Sequence, residues 1–477
     1  MILRHLYHDD LAQASYLVGC AATGEALIID PNRDIQQYID LAAREGLKIT
    51  KVTETHIHAD YVSGARELAD ATGAKLFLSK EGTDDWQYGF AKESGAELIG
   101  EGDVITVGNI KVDVLHTPGH TPEHISFLVT DTAGADKPMG IFTGDFVFVG
   151  DVGRPDLLEK AAGFANTMED GARQLYHSLE RFKKLEDFVQ IWPGHGAGSP
   201  CGKALGAVPQ STIGYERLFN PALQFNAEQD FVDFILDAQP EPPVYFKQMK
   251  HVNKVGPALT RELNTPMQVG IDAIGPALTA GQPIVDLRPA DQFARGYIPG
   301  TINIGWAKGF VTWAGWLLPF DRPFHVIADP ENIDAIAQEL RMIGLDTLEN
   351  FFSPSIINEW KAAGHELATI EQVTVDRLDE IGDYQVVDVR GITEFEEGHI
   401  PGSRNLHLGY VGEQLDQVPS DKPIVFQCQT GRRSSIAASV AAAHGRNDIY
   451  NLVGGFSAWE KHGCPVETSE KAAAATS

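Results

Sequence analysis

The sequence predicts an α/β protein built of several modules, and three observations carry that prediction. Short apolar runs that read as strands alternate with amphipathic stretches that read as helices. Histidines and aspartates stand just beyond several of those strands, and one α/β pattern occurs twice in the second half of the chain. The 477 residues suffice for about three domains, each able to bury its own core.

Tyr16-Leu17-Val18 and Ala26-Leu27-Ile28-Ile29, separated by a glycine-containing turn, predict an antiparallel pair. Arg33 to Gly46 reads as a helix closed by a glycine cap. Leu47 to Glu54 is strand-prone and Val62 to Thr72 helix-like. Between them lies Thr55-His56-Ile57-His58-Ala59-Asp60-Tyr61, which crowds three candidate metal ligands into five residues. Imidazole and carboxylate donors suit Zn, Fe or Mn. Ile110, Val112 and Val114 alternate, as do Ile125, Phe127 and Val129, placing His120 of His116-Thr117-Pro118-Gly119-His120 in the loop between two strands. The apolar run Met139 to Phe142 leads to Asp145 in Thr143-Gly144-Asp145. Ala172, Leu175, Leu179 and Phe182 form the apolar stripe of one helix, and Phe188 to Trp192 is a strand leading to His195. Every candidate ligand therefore lies just past a strand, where a rigid sheet can hold several loops around one ion. Gln239 to Val255, with its Gln-Pro-Glu-Pro-Pro and the basic segment Lys247 to Lys254, reads as the exit into a linker.

Beyond it, Val285-Asp286-Leu287-Arg288, Phe293, Gly296, Ile298-Pro299-Gly300 and Asn303 recur at a constant offset as Val387-Asp388-Val389-Arg390, Phe395, Gly398, Ile400-Pro401-Gly402 and Asn405. That is an internal duplication of one α/β unit. In the second copy the strand Ile424 to Gln427 runs into Cys428-Gln429-Thr430-Gly431-Arg432-Arg433-Ser434 and an Ala-rich helix. A cysteine at a helix N-terminus meets backbone N–H groups that favour an anionic sulfur, and Arg432 and Arg433 add positive charge. In the first copy Ala328 aligns with Cys428, and Pro330-Glu331-Asn332 replaces the Gly-x-Arg, so that copy cannot carry sulfur.

Thirty-eight basic against 66 acidic residues give a net charge of −28, which argues against nucleic-acid and anionic-membrane partners. Neither a signal-peptide core nor a run of about 20 apolar residues is visible, so a cytoplasmic protein is expected. Cys20, Cys201, Cys428 and Cys464 form no C-x-x-C, and neither a disulfide framework nor a zinc ribbon is indicated.

The His-x-His-x-Asp run, His120, Asp145 and His195, in that order, resemble the metallo-β-lactamase superfamily, which implies an αβ/βα sandwich over residues 1–250. Both later copies resemble the rhodanese domain, over 268–368 and 369–468, with 251–267 as linker and 469–477 as a disordered tail. A dinuclear zinc hydrolase of the superfamily, such as glyoxalase II, has a histidine where this chain has Tyr61, a phenol with a pKa of about 10 and a poor ligand. The branch most resembled is the persulfide dioxygenases. That resemblance implies one Fe(II) per chain held by His56, His120 and Asp145, with His58, Asp60 and His195 beside it orienting ligands and water.

It further implies O₂-dependent oxidation of a low-molecular-weight thiol persulfide to sulfite, with Cys428 of the working rhodanese making or using thiosulfate. The six-residue loop Cys428 to Arg433, with Gly431, is similar to that of single-domain rhodaneses; rhodanese-like phosphatases have a longer one. Arg154, within a Gly-Arg-x-Asp segment, is a candidate for holding a substrate carboxylate, with Tyr215 and Arg217 as further candidates. Cys201 follows Gly194-His195-Gly196 on a glycine-rich loop that starts at the metal rim, as in some bacterial dioxygenase–rhodanese fusions, and is a candidate catalytic thiol. The cysteine-less copy is read as a spacer, a docking surface or a dimer contact, so a homo-oligomer is compatible with the sequence. Two other readings stand beside this one: a dinuclear zinc thioester hydrolase fused to a sulfurtransferase, and a persulfide carrier without catalysis.

Overall fold

The computed structural model describes residues 1–160, 167–203, 205–237, 239 and 241–468. The tail 469–477, expected to be disordered, lies outside the described residues. The chain divides into two compact units, Met1–Leu263 with Gln338–Gly344, and Asn264–Ala337 with the chain from Leu345 onward.

The described residues of the first unit build two six-stranded sheets. Ile2–His8, Gln13–Cys20, Glu25–Ile29, Lys48–Thr53, Lys75–Ser79 and Glu97–Ile99 lie side by side in chain order, antiparallel over the first three and parallel thereafter. Val104–Val107, Ile110–His116, Ile125–Asp131, Gly140–Gly144, Gln190–Pro193 and Ser211–Thr212 form the second, likewise in chain order. It is antiparallel except where Gly140–Gly144 pairs with Gln190–Pro193.

Alternation along the strands decides the layers. Tyr16, Val18, Leu27 and Ile29 of one sheet meet Val112, Val114, Phe127, Phe142 and Trp192 of the other in a shared core. The opposite faces bury Leu17, Ile28 and Val52 against the helices Gln36–Arg44 and Ala65–Thr72, and Ile141 and Ile191 against the helix Met168–Phe182. The result is helix, sheet, sheet, helix, the αβ/βα sandwich. Full burial of each large side chain contributes about 1.5–3 kcal/mol, so this triple core fixes the strand ends that carry the site.

Lys247 to Lys254, expected to lead into a linker, instead lies within the helix Phe246–Val255 of the first unit. Phe246 and Met249 are buried on one face together with Lys250 and Asn253, a mixed face that no simple apolar pattern announces in the sequence.

The second unit contains two five-stranded parallel sheets with one and the same order. In the first the order is Met267–Gln268, Leu348–Phe352, Phe324–Ile327, Ile284–Asp286, Ile302–Asn303. In the second it is Glu371–Val373, Ile449–Leu452, Ile424–Gln427, Gln385–Asp388, Arg404–Asn405. The repeated motif residues prove to be scaffold. Arg288 is held on both carboxylate oxygens of Asp286 and donates to the Gly296 carbonyl; Arg390 does the same with Asp388 and Gly398. Asn303 and Asn405 tie each neighbouring strand back through paired backbone hydrogen bonds. No helix among the described residues is long and apolar enough to cross a membrane.

Candidate metal centre and sulfur-transfer loop

The strand Lys48–Thr53 delivers the loop carrying His56, and three distant side chains hold that loop in shape. Asp30 accepts from the Thr55 N–H at 2.7 Å and the Thr55 hydroxyl at 3.0 Å. Glu123 accepts from the Ile57 N–H at 2.9 Å. Asn253 donates to the carbonyls of His58 and Tyr61 at 2.8 and 2.7 Å and accepts from the Ser63 N–H at 2.9 Å. None of the three was singled out by sequence reasoning.

The hydrogen bonds also fix which imidazole nitrogens face the site. The Thr55 hydroxyl proton is committed to Asp30, so its oxygen accepts from His56 Nδ1 at 3.0 Å and leaves Nε2 as a lone-pair donor. His120 donates through Nδ1 to the Arg154 carbonyl at 3.2 Å, and His195 through Nδ1 to the Ala12 carbonyl at 2.9 Å. Their Nε2 atoms lie 3.6 and 3.4 Å from Asp145 Oδ2, and that of His56 lies 4.0 Å away. The ligand atoms of His56, His120 and Asp145 all fall within 4.8 Å of one another, fully buried.

His56 Nε2 and both Asp145 carboxylate oxygens make no hydrogen bond. Leaving such atoms buried costs about 1–3 kcal/mol each, more where charge is involved, so the arrangement fits a metal ion that satisfies all three. Protonation agrees. Burial and the neighbouring His58 push His56 well below the ordinary imidazole value, and burial lowers His120, so both are neutral donors. Burial alone would raise Asp145, but the neighbouring His195 outweighs it and holds the carboxylate ionised.

Asp60, His195 and Cys201 form a second buried group with donor atoms within 4.8 Å of one another. Cys201 thus stands beside the candidate metal centre. Burial, with Asp60 next, pushes its thiol up to about 12, so it is protonated at neutral pH. Burial disfavours the charged form of His195, yet Asp145 and then Asp60 hold it well above the ordinary value.

His58 turns its Nε2 to Asp30 at 3.2 Å. Burial opposes its charge, but Asp30 and then Glu54 raise it to about 9 from 6.5. A raised folded value stabilises the protein fully below pH 6.5 and ever less as pH climbs through about 9. Melting curves across that window should therefore show the metal-free protein losing stability, and Asp30→Asn should flatten that decline.

Tyr61 is buried, donates to the Asp30 carbonyl at 3.3 Å and packs on the His58 ring. His124 accepts from the Asp145 N–H at 3.1 Å while its ring stacks on His56, so it positions two of the candidate ligands. His116 bonds the Pro122 carbonyl at 2.8 Å. Arg154 is fully buried, paired with Asp156 at 2.8 and 3.0 Å, and donates to the Pro200 carbonyl at 2.8 Å. It thereby braces both His120 and the loop bearing Cys201. Gly153 lets this segment pass, since a Cβ there would lie 1.8 Å from the Asp145 carbonyl oxygen. Arg154→Met should lower stability by about 3–5 kcal/mol because the buried Asp156 carboxylate loses the two charge-assisted hydrogen bonds that offset its burial, while Arg154→Met with Asp156→Leu should recover most of it in thermal melts. Tyr215 is exposed, and Arg217 forms a surface ion pair with Asp187.

In the second unit, Cys428 ends the strand Ile424–Gln427 and the helix Arg432–Ala443 follows. Gly431, at φ +92°, turns its N–H onto Cys428 Sγ at 3.2 Å, and the Ser434 hydroxyl lies 3.6 Å from the same sulfur. Donors aimed at sulfur are what a persulfide anion requires. Arg433 is paired with Glu394 at 2.6 and 2.7 Å, whereas Arg432 is exposed in the first helical turn. Gly455, at φ +55°, is a further requirement that sequence reasoning missed: a Cβ there would lie 1.9 Å from the Cys428 carbonyl oxygen. The paired glycines of Leu452-Val453-Gly454-Gly455 were its signal.

Comparison with known proteins agrees with this anatomy. Residues 8–195 match the metallo-beta-lactamase superfamily and residues 372–462 the rhodanese-like domain. A metallo-beta-lactamase from Staphylococcus aureus subsp. aureus COL has a solved structure that is 43 % identical, with a TM-score of 0.67, covering 74 % of this chain and 99 % of that one. The mitochondrial persulfide dioxygenase ETHE1 of Mus musculus is 29 % identical over 239 residues, 48 % of this chain and 78 % of that protein. A hydroxyacylglutathione hydrolase of Nitrosococcus oceani is 35 % identical over 185 residues, 38 % of this chain and 61 % of that protein. Alignments to curated relatives take in from 51 % to 89 % of the relative's own length. With persulfide dioxygenases among its relatives, the chain belongs to the metallo-β-lactamase superfamily and carries a rhodanese-like domain fused on its C-terminal side.

Proposed function

We propose that the chain oxidises a low-molecular-weight thiol persulfide with O₂ at one iron and transfers sulfane sulfur through Cys428. The observation that carries this reading is the donor set: two neutral imidazoles and one carboxylate converge with orphaned atoms, and Tyr61 stands where a hydrolase has a further histidine. His56, His120 and Asp145 would hold Fe(II), which when bound supplies open positions for a sulfur anion and O₂ together. The balance is R–S–SH + O₂ + H₂O giving R–SH, sulfite and two protons.

The residues around the cluster set its proton inventory. His195, held charged between Asp145 and Asp60, is placed to donate a proton to the departing thiolate. Cys201, protonated and beside it, is a second proton holder. Burial of the whole cluster excludes bulk water from the reacting sulfur. In the other unit, a persulfide on Cys428 would pass its terminal sulfur to sulfite, releasing thiosulfate and the Cys428 thiolate, with the Gly431 N–H and the Ser434 hydroxyl steadying the anion. The test is O₂ uptake with a thiol persulfide, with sulfite and thiosulfate together appearing in equal amount; hydrolysis of thioesters without O₂ uptake would displace this reading.

A second reading has one observation in its favour. Asp60, His195 and Cys201 offer a carboxylate, an imidazole and a sulfur beside the first cluster, a donor set that would suit zinc. Two zinc ions there would make the first unit a thioester hydrolase.

A further inference from the structure

The two modules of the second unit keep one scaffold behind opposite loops. Over the six positions from Cys428 to Arg433 the working loop carries two cations, Arg432 and Arg433. Over the six aligned positions from Ala328 to Ile333 it carries two anions, Asp329 and Glu331, with Asn332 and Ile333 where the arginines stand. Thiol and positive charge have both been lost. The remaining electrostatics would repel the sulfane, sulfite or thiosulfate anions that the other loop suits.

A site kept only for folding should close, because empty space forfeits dispersion contacts and a Leu or Phe at position 328 would fill it. Instead Ala328, smaller than the cysteine it replaces, lines a cavity of about 360 Å³. Trp306, Ile336 and Pro354 supply apolar walls; Arg288, Asp329 and Asn332 are among its polar groups. Arg288 adds no net charge, since its Nε lies 3.0 Å from both Asp286 oxygens and its Nη2 lies 2.6 Å from Oδ2. Asp329 caps no helix with its side chain and is exposed, leaving its carboxylate as the charge at the mouth. An indole wall attracts cations by its ring quadrupole, and the volume falls in the small-ligand range.

We propose that the cysteine-less module is a receptor for a small cationic ligand, a primary ammonium on a short apolar body. The nitrogen is held at Asp329 beside the Trp306 indole, and the body rests on Ala328, Ile336 and Pro354. This assignment does not depend on the chemistry at the metal centre or at Cys428.

The full-length protein titrated calorimetrically with n-butylammonium, 1-butanol and butyrate tests it, because the three share one body and differ in charge. Saturable binding of n-butylammonium is expected, with 1-butanol about tenfold weaker or worse and butyrate not bound. Asp329→Asn, an exposed substitution that leaves the cavity walls intact, should weaken n-butylammonium about tenfold with an unchanged melting temperature. Ala328→Phe, which fills the cavity, should abolish binding. Equal binding of the three probes, no saturable binding of n-butylammonium, or an affinity untouched by Asp329→Asn would overturn the proposal; the last outcome would point to diffuse attraction to this acidic chain instead.

Discussion

Asparagine in place of Asp145 is expected to leave a folded protein that neither loads metal nor consumes O₂ with persulfide. The carboxylate faces His56, His120 and His195 together, and neither of its oxygens has a hydrogen bond. Losing an outer partner of a metal ligand costs about 10–100-fold in affinity or activity, so losing a ligand should exceed about 100-fold. The amide keeps the shape, and Asp145 lies past the end of the strand Gly140–Gly144, outside the apolar core to which Phe142 belongs, so the fold should survive. Circular dichroism with metal analysis and an oxygen electrode reads all three outcomes. Full activity in the variant would mean that Asp145 holds no metal and that the chain handles persulfides in some other way.

Serine at position 428 should separate the two activities. A hydroxyl cannot form a persulfide, so sulfurtransferase activity should fall by about a thousandfold or more. The packing hardly changes, since Ser and Cys differ little in volume. O₂ uptake should stay within about twofold of the parent, with sulfite accumulating where the parent protein yields thiosulfate. Ion chromatography of the products makes the comparison. Thiosulfate formation at the parent rate would show that sulfur leaves by a route other than Cys428.

How much of this was legible in the sequence depends on how local each signal is. His56, His120, Asp145 and His195 each follow an apolar strand within a few residues, and a strand end is readable from alternation alone. Cys428 with Gly431 is readable for the same reason, since strand, loop and helix start occupy about ten consecutive residues. The residues that hold these groups in place were not legible. Asp30, Glu123 and Asn253 reach the His56 loop across long stretches of chain, and each looks like an ordinary polar residue until the fold closes. The helix Phe246–Val255 was missed because its buried Phe246, Met249 and Asn253 are diluted by lysines, whose stems and charges lie to the outside or, for Lys250, over the Trp86 ring. Gly153 and Gly455 matter through a carbonyl they must pass, which no local pattern announces.

The duplication was legible as repetition but not as structure. Its repeated Asp, Arg and Asn marked the duplication without a role, and they turn out to lock strand to strand in both modules alike. Among the differences between the modules, the six-residue loop stands out, and there the difference is one of charge as much as of a missing thiol.

The most direct test of the account is to purify the protein without oxygen and count the metal ions bound per chain, by element. One iron, lost on Asp145→Asn and unaffected by Cys428→Ser, is the predicted result. Two zinc ions per chain, with the second lost on Cys201→Ala, would contradict it and make the first unit a hydrolase.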